Sequence, residues 1–185
     1  MIKNYNEILY ANERIECERV ILRRAKIEDA KSILERDSDP IMRKYLGSNG
    51  AQNIEEARAQ IFNWSWSRPG IWAIEHKASD KNIGSIVINF SHAHDKASFG
   101  YAIGREFWNQ GLMTEALSAV IKLCFEGLQL NRVEAEHFVG NEGIGRVMEK
   151  CGMVKEGVSR QSMLARGIYH DVVTYGIARD MWVKS

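Results

Sequence analysis

Hydrophobic positions recur along the chain with two periods, and each period predicts one type of element. Val20 and Leu22 alternate with Ile21 and Arg23, which is typical of a strand over residues 19–25. Where apolar residues recur every three or four positions, a helix is expected. The same criteria predict helices over 26–40, 53–66, 113–128 and 141–152, and further strands over 71–76, 82–90, 96–104, 131–139, 157–164 and 171–182.

The order of these elements predicts a mixed α/β domain. One strand is followed by two helices, three strands, a helix, a strand, a helix and two final strands. Because a helix separates the strands at 96–104 and 131–139, these two strands can pair in parallel. A length of 185 residues without an evident linker predicts one domain over 1–185, with an N-terminal extension at 1–14 and a core at 15–182.

Four residues are expected to mark the ends of helices. Asn53 and Asn141 precede their helices and are predicted N-cap residues. Pro40 is expected to close the first helix, and Gly152 the last one.

Composition and charge narrow the class of protein. The sequence is 45% hydrophobic and 26% charged, which is ordinary for a globular domain, and its net charge of +1 argues against a dedicated nucleic-acid binder. No run approaches the roughly 20 apolar residues of a membrane span. Cys17, Cys124 and Cys151 lack metal-ligand spacing, which favours reduced thiols in a cytoplasmic protein without a metal site.

The strand over 96–104 has one nearly bare face. Its large and small residues alternate: Phe99, Tyr101 and Ile103 against Gly100, Ala102 and Gly104. A bare face lets a ligand or another backbone lie close to the strand, or lets a helix pack tightly on the sheet. The sequence leaves both alternatives open.

A glycine-bearing turn, Asn109-Gln110-Gly111, directly precedes the most apolar helix of the chain. The polar residues of that helix form one narrow stripe, so the helix is expected to be mostly buried. Its N-terminus then presents unpaired N–H groups that favour an anion such as phosphate. The turn lacks the Lys of a Walker loop and the glycine spacing of a Rossmann fingerprint.

Four segments carry a resemblance to the GNAT acetyltransferase superfamily. WNQGLMTEA resembles the pyrophosphate loop of that family, and NEGIGRVMEKCGM resembles its second cofactor motif. The segments IECERVILRRAKIEDA and GIYHDVVTYGIARDMW are similar to the branch named for ribosomal-protein N-terminal (alanine/serine) acetyltransferases. The similarity runs from about Ile15 to Trp182, which is nearly the whole chain.

This resemblance implies a fold and a cofactor. The fold would be a strongly twisted central sheet of about six or seven strands with helices on both faces, in which the splayed parallel pair 96–104 and 131–139 encloses acetyl-CoA. The backbone of residues 101–104 would pair with the pantetheine arm, and the amides of 109–114 would bind the pyrophosphate. The cofactor-binding residues implied are Tyr101, Ala102, Ile103, Gly104, Asn109, Gln110, Gly111, Leu112, Met113, Thr114, Asn141 and Arg146.

The resemblance also implies a catalytic base. Glu136 stands five residues before the motif asparagine, where related enzymes carry a glutamate that accepts the proton of the amine. His137 is the alternative base, because histidine is the side chain most often used to accept a proton near neutral pH. Since neighbouring strand residues point to opposite faces, one of the two at most can face the amine. A surface carboxylate without a catalytic role remains the alternative for Glu136.

Two departures from the family pattern concern the proton donor for the leaving thiolate. Met148 stands where many members carry a tyrosine, and Ile144 stands where they carry a serine. Protonation would then come from water, from Cys151, or from Tyr169 or Tyr175 of the last hairpin. A thiol leaves readily at its ordinary pKa of about 8.5, so turnover does not depend on a strong acid.

The acceptor is expected between the N-terminal helices and the last hairpin. The aromatic residues Trp64, Trp66 and Trp72 are candidates for its walls or for the core, and the segment Tyr169-His170-Asp171 is a candidate for its polar side. The expected reaction is transfer of an acetyl group to a primary amine, either a protein N-terminus or a small amine, by a monomer or homodimer. A non-catalytic CoA-binding sensor and a nucleotide-binding α/β protein are the alternatives.

Overall fold

The structure is a computed structural model that describes residues 5–67 and 69–182, without the side chains of residues 65–67. Its α-helices are α1 (Tyr5–Ala11), α2 (Ala30–Ser38), α3 (Pro40–Tyr45), α4 (Ile54–Ser67), α5 (Leu112–Lys122) and α6 (Glu142–Lys150). Its strands are β1 (Ile15–Glu16), β2 (Val20–Arg23), β3 (Ile71–His76), β4 (Lys81–Ser91), β5 (Lys96–Ile103), β6 (Arg132–Phe138), β7 (Val154–Ala165) and β8 (Ile168–Ala178).

All strands of the described residues form one sheet, in the order β1-β2-β3-β4-β5-β6-β8-β7. The β5–β6 pair is parallel and the other neighbours are antiparallel, which confirms the mixed α/β fold. The expected count of six or seven strands is wrong, because the sheet has eight strands. The additional strand is β1, whose two residues are too short to show alternation in the sequence.

Helices flank both faces of the sheet. Val20 and Leu22 are fully buried in the core cluster that also contains residues of α1, α5 and α6. On the opposite face Arg23 forms a buried ion pair with Asp29, which directly precedes α2. A second cluster joins α2 to α4 on this side. The alternation read from the sequence therefore matches two different packing environments.

The predicted helix ends are mostly confirmed. The side chain of Asn53 accepts a hydrogen bond of 2.8 Å from the amide of Glu56, as expected of an N-cap. Gly152, with φ of +82°, ends α6, and its amide donates to the carbonyl of Glu149 at 2.9 Å. Pro40 differs from the prediction, since it begins α3 after Asp39 caps the helix. Proline is favoured at this first position because its missing N–H has no partner there.

The N-terminal region contributes more than an extension. Tyr5 and Leu9 of α1 are buried in the main core, and the hydroxyl of Tyr5 donates to a carboxylate oxygen of Asp95 at 2.8 Å. No helix of the described residues is long and apolar enough to cross a membrane.

Candidate active site

A cleft opens where the two parallel strands separate. The β5–β6 ladder runs from Lys96 paired with Arg132 to Phe99 paired with Ala135, and both strands continue beyond this last pair. The cleft has a volume of about 390 Å³. It is lined by Met42, Tyr45, Leu46, Tyr101, Ala102, Ile103, Phe107, Trp108, Asn109, Gly111, Met113, Thr114, Gly140, Asn141, Glu142, Gly143, Ile144, Arg146, Val147 and Lys150.

The bare face of β5 is open and does not support a helix. A Cβ atom built on Gly100 would have no atom within 4 Å, and Ala102 lines the cleft. Of the two alternatives that the sequence left open, the structure thus favours room for a ligand or backbone.

The backbone groups of β5 are divided between β4 and the cleft. The amide of Gly104 donates to the carbonyl of Ile83 in β4 at 2.8 Å. Because hydrogen-bonding directions alternate along a strand, the backbone groups of Tyr101 and Ile103 point away from β4. The carbonyl of Ile103 accepts a hydrogen bond of 2.9 Å from the indole of Trp108, which fixes the start of the following turn.

The turn before α5 has the backbone conformation of an anion-binding loop. Asn109 and Gly111 both have positive φ, +59° and +79°. The first intrahelical bond runs from the amide of Glu115 to the carbonyl of Gly111, so the amides of residues 112–114 have no partner within the helix. Together with the helix dipole, these amides favour a phosphate at this end of the cleft.

A residue that sequence analysis did not single out supports this turn. Arg19 donates to the carboxylate of Glu115 and to the backbone carbonyl of Gln110, each at 2.8 Å. The two partners are 91 and 96 residues away along the chain. No local pattern in the sequence signals such a contact.

The start of α6 forms the wall of the cleft opposite β5. Asn141 occupies the predicted N-cap position, but its side chain makes no capping hydrogen bond. Ile144 and Arg146 line the same wall, and so does Lys150, which sequence analysis did not single out. Arg146 and Lys150 are four residues apart and therefore lie on one side of the helix. These two cations suit the phosphate groups of CoA.

Glu136 and His137 lie on opposite faces of β6, as alternation predicted. Glu136 is exposed, one residue beyond the last pair of the β5–β6 ladder. His137 is 6% exposed beneath α6, where its ring lies near that of Tyr175 and its Nδ1 is 2.8 Å from the carbonyl oxygen of Phe138. Nδ1 therefore carries the proton. Neither residue belongs to the lining of the cleft itself.

The proton donors expected from the sequence lie outside the cleft. Tyr169 is 63% exposed on the hairpin, and Met148, which replaces the usual tyrosine, is fully buried in the core. Burial raises the pKa of the Cys151 thiol, whose Sγ lies between α5 and α6 at 3.6 Å from the carbonyl of Thr114. Burial and a hydrogen bond to Glu149 raise the pKa of Tyr175, which lies beneath α6.

Two tyrosines line the cleft at different depths. Tyr101 lies two residues past the last ladder pair, near the vertex, and its hydroxyl is 3.3 Å from the carbonyl oxygen of Ile144. Burial raises the pKa of its phenol. Tyr45 of α3 lies at the mouth and donates to the carbonyl of Gly140 at 3.1 Å.

Helix α3 closes one side of the mouth, and this wall was not anticipated. Met42 and Tyr45 of α3 line the cleft, and so does Leu46, which directly follows the helix. Arg166, in the turn between β7 and β8, donates to the carbonyl of Lys44 at 2.9 Å. The turn of the last hairpin therefore contacts α3 beside the cleft, in the region where the acceptor was expected.

The other described residues considered for the acceptor site instead pack in the interior or stabilise the last hairpin. Trp72 is 1% exposed in the main core, and Trp64 packs against the α2–α4 cluster. The side chain of Trp66 lies outside the described residues. Asp171 accepts a hydrogen bond from the amide of Gln161 at 2.8 Å and so stabilises the β7–β8 hairpin.

Most of the predicted cofactor-binding residues meet in the cleft. The ones that line it are Tyr101, Ala102, Ile103, Asn109, Gly111, Met113, Thr114, Asn141 and Arg146. Gly104, Gln110 and Leu112 are not part of the lining. No cluster of side chains that could hold a metal ion occurs in the described part of the chain.

Comparison with known proteins agrees with this geometry. Residues 19–154 match the acetyltransferase (GNAT) domain family. The chain is 33% identical over 170 residues to the N-acetyltransferase YoaA of Bacillus subtilis, covering 89% of the chain and 96% of that protein. It is also 29% identical over 101 residues to the ribosomal protein uS5-alanine N-acetyltransferase of Escherichia coli, covering 55% of the chain and 50% of that protein.

A solved structure shares the fold. RimJ of Mycobacterium smegmatis in complex with CoA-disulfide has a TM-score of 0.76 and 20% identity, and the match covers 90% of this chain and 85% of that one. The chain belongs to the GNAT acetyltransferase family. It is an acetyl-CoA-dependent N-acetyltransferase, as the resemblance in the sequence implied.

Proposed function

We propose that the chain acetylates the primary amine of a protein N-terminus, with small amines as the second class of acceptor. The observation that carries the proposal is the cleft between β5 and β6, which has unpaired helix amides at its rim and is bordered by α3. The similarity to a ribosomal-protein alanine N-acetyltransferase supports a protein acceptor.

The acetyl donor is held in this proposal by three groups of residues. The amides at the start of α5 bind the pyrophosphate, and the backbone of Tyr101 and Ile103 pairs with the pantetheine arm. The Asn141 side chain, which does not cap its own helix, meets an amide of that arm. Arg146 and Lys150 add positive charge at the wall of the cleft. Bound acetyl-CoA supplies a thioester that an amine can attack directly.

Glu136 is the proposed base. It is exposed, one residue past the last ladder pair, on the face of the sheet opposite α6. The carboxylate accepts the proton that the attacking ammonium must lose, directly or through one water. His137 is the weaker candidate because its ring lies on the helix side of the strand.

Tyr101 is the proposed hydrogen-bond donor to the leaving thiolate. Tyr101 lines the cleft near the vertex, where the pantetheine arm ends if the pyrophosphate sits at the turn before α5. Its hydroxyl donates to the carbonyl of Ile144 at 3.3 Å in the structure, and in this proposal it exchanges that acceptor for the sulfur. Burial raises the pKa of this phenol, so it stays protonated and donates a hydrogen bond without transferring its proton fully. A thiolate of ordinary pKa leaves with that degree of help.

We further propose that residues 1–185 act as one catalytic domain, with its core at 15–182, in the cytoplasm. A single sheet that spans β1 to β8 supports the first statement. Three unpaired cysteines and a relative that acts on a ribosomal protein support the second.

Release of free thiol from acetyl-CoA tests the acceptor proposal. A panel of short peptides with free or blocked N-termini is compared with small amines, and the acetylated product is located by mass spectrometry. Acetylation at free peptide N-termini is the expected result. Acetylation of small amines alone would overturn the protein-acceptor assignment. Tight binding of acetyl-CoA without thiol release from any acceptor would favour the sensor, and competition by ATP or NAD would favour the nucleotide-binding alternative.

A further inference from the structure

Arg19 and Glu115 form an ion pair beside the turn before α5 and hold this turn in place. Glu115 lies in the first turn of α5 and is 17% exposed at its side chain. Its carboxylate accepts from the backbone amide of Arg19 at 2.7 Å, from Nε of Arg19 at 2.8 Å and from the amide of Val20 at 3.3 Å. The start of β2 is thereby fixed to the start of α5.

The guanidinium of Arg19 uses a second nitrogen to hold the turn itself. Nη1 donates to the backbone carbonyl of Gln110 at 2.8 Å, while Nε remains on Glu115. A Cβ atom on Gly111 would lie 3.3 Å from Nη2. The planar fork of arginine therefore contacts both the helix and the turn, which a lysine ammonium on a flexible chain cannot reproduce with the same geometry.

The contact with Gln110 fixes the direction of the next amide. In a planar trans peptide, the carbonyl and the N–H group point in opposite directions. Because the carbonyl of Gln110 points to Arg19, the amide of Gly111 points away from Arg19. Gly111 lines the cleft, and its φ of +79° lets the chain turn into α5 directly afterwards.

We infer that Arg19 is a positioning residue for the acetyl donor: it orients the Gly111 amide, and through Glu115 the first turn of α5, for the pyrophosphate. The inference rests on the proposed placement of the pyrophosphate at this turn. Arg19 acts through the turn and is not assigned a contact with the acetyl group. Its removal therefore weakens binding of donors that carry the pyrophosphate and leaves the transfer step unchanged.

Two acetyl donors separate this role from general stabilisation. Acetyl-CoA carries the pyrophosphate, whereas S-acetylpantetheine presents the same thioester arm without phosphate. For Arg19→Gln we expect KM for acetyl-CoA to rise roughly tenfold or more, the effect of losing one hydrogen bond to a charged group. The kcat at saturating acetyl-CoA and the kcat/KM for S-acetylpantetheine should match those of the unmodified chain.

Two further variants sharpen the experiment. Arg14→Gln is the matched control, because it removes a nearby arginine that pairs at 2.6 Å with Glu16 of β1, at an exposed site. It should leave KM unchanged for both acetyl donors. Arg19→Lys keeps the charge without the fork and should behave like Arg19→Gln. Full recovery of acetyl-CoA affinity in Arg19→Lys would show that charge alone suffices and would overturn the positioning role.

Three further results would bear on the positioning role of Arg19. Equal losses with acetyl-CoA and S-acetylpantetheine, or an unchanged KM for acetyl-CoA, would overturn the inference. If the unmodified chain acetylates no acceptor, calorimetry with CoA and pantetheine still measures the selective loss of affinity in Arg19→Gln. If Gly111→Val binds CoA normally, the placement of the pyrophosphate fails, and with it the basis of the inference, whatever the outcome for transfer.

Discussion

A methyl group on Gly145 is expected to disturb the contact between α6 and the sheet. Gly145 is buried at the end of the first turn of α6. A Cβ atom there would lie 3.0 Å from Nε2 of His137 and 3.0 Å from the hydroxyl oxygen of Tyr175. Gly143 lies on the same helix, but a Cβ atom there would meet only a nitrogen of Arg146 at 3.9 Å. The pair Gly145→Ala and Gly143→Ala therefore compares a crowded with an open position.

The expected magnitudes follow from two opposing effects. Replacing glycine by alanine within a helix stabilises the folded state by up to about 1 kcal/mol, and less near the helix end. Overpacking a well-filled contact costs about 1–3 kcal/mol. Gly143→Ala is thus expected to be neutral or slightly stabilising, while Gly145→Ala is expected to be destabilised by ~0–2 kcal/mol relative to the unmodified chain.

Thermal unfolding without ligand measures the difference. For a domain of this size, about 1 kcal/mol shifts Tm by roughly 2–4 °C, so Gly145→Ala should melt several degrees below Gly143→Ala. Circular dichroism at 20 to 30 °C (about the range of an ordinary assay) confirms that both variants are folded beforehand. A Tm for Gly145→Ala equal to or above that of Gly143→Ala would refute the close packing of α6 on β6 and β8.

Three further predictions concern the cleft. Gly111→Val places a branched side chain at φ of +79°, at a cost of about 1–2 kcal/mol, and should abolish measurable acetyl-CoA binding while the chain stays folded; unchanged affinity in calorimetry would contradict the assignment of the turn. Glu136→Gln should lower kcat roughly 100-fold or more without changing the Kd of acetyl-CoA. Glu134, whose carboxylate is held in ion pairs, provides the control, and Glu134→Gln should leave kcat unchanged. Equal kcat values for the two variants would dismiss Glu136 as the base. Tyr101→Phe should lower kcat by about tenfold. Because burial raises the pKa of the phenol above its ordinary value of 10.0, the ratio of kcat between the unmodified chain and the variant should stay constant between about pH 6 and 9. A ratio that falls toward 1 within this interval would mean that the phenol ionises there.

The sequence by itself determined the features that depend on neighbouring residues. The capping side chain of Asn53, the left-handed glycine that ends α6 and the glycine turn before α5 could each be read from a few positions, because hydrogen bonds and backbone strain act over one helical turn. The alternation of β2 and of β6 likewise predicted which side chains share a face. The motif at the turn before α5 and the one at α6 then identified the family.

Tertiary structure decided which distant residues meet. Arg19 reaches a turn that lies 91 residues further along the chain, and Tyr45 reaches Gly140 from a helix that the sequence did not predict. The depth of Met148 in the core, with Tyr101 at the vertex of the cleft, likewise follows from packing. Such contacts depend on how helices and strands pack in space. The hydrophobic effect that drives this packing is non-directional, so a local sequence pattern does not specify which distant residues meet.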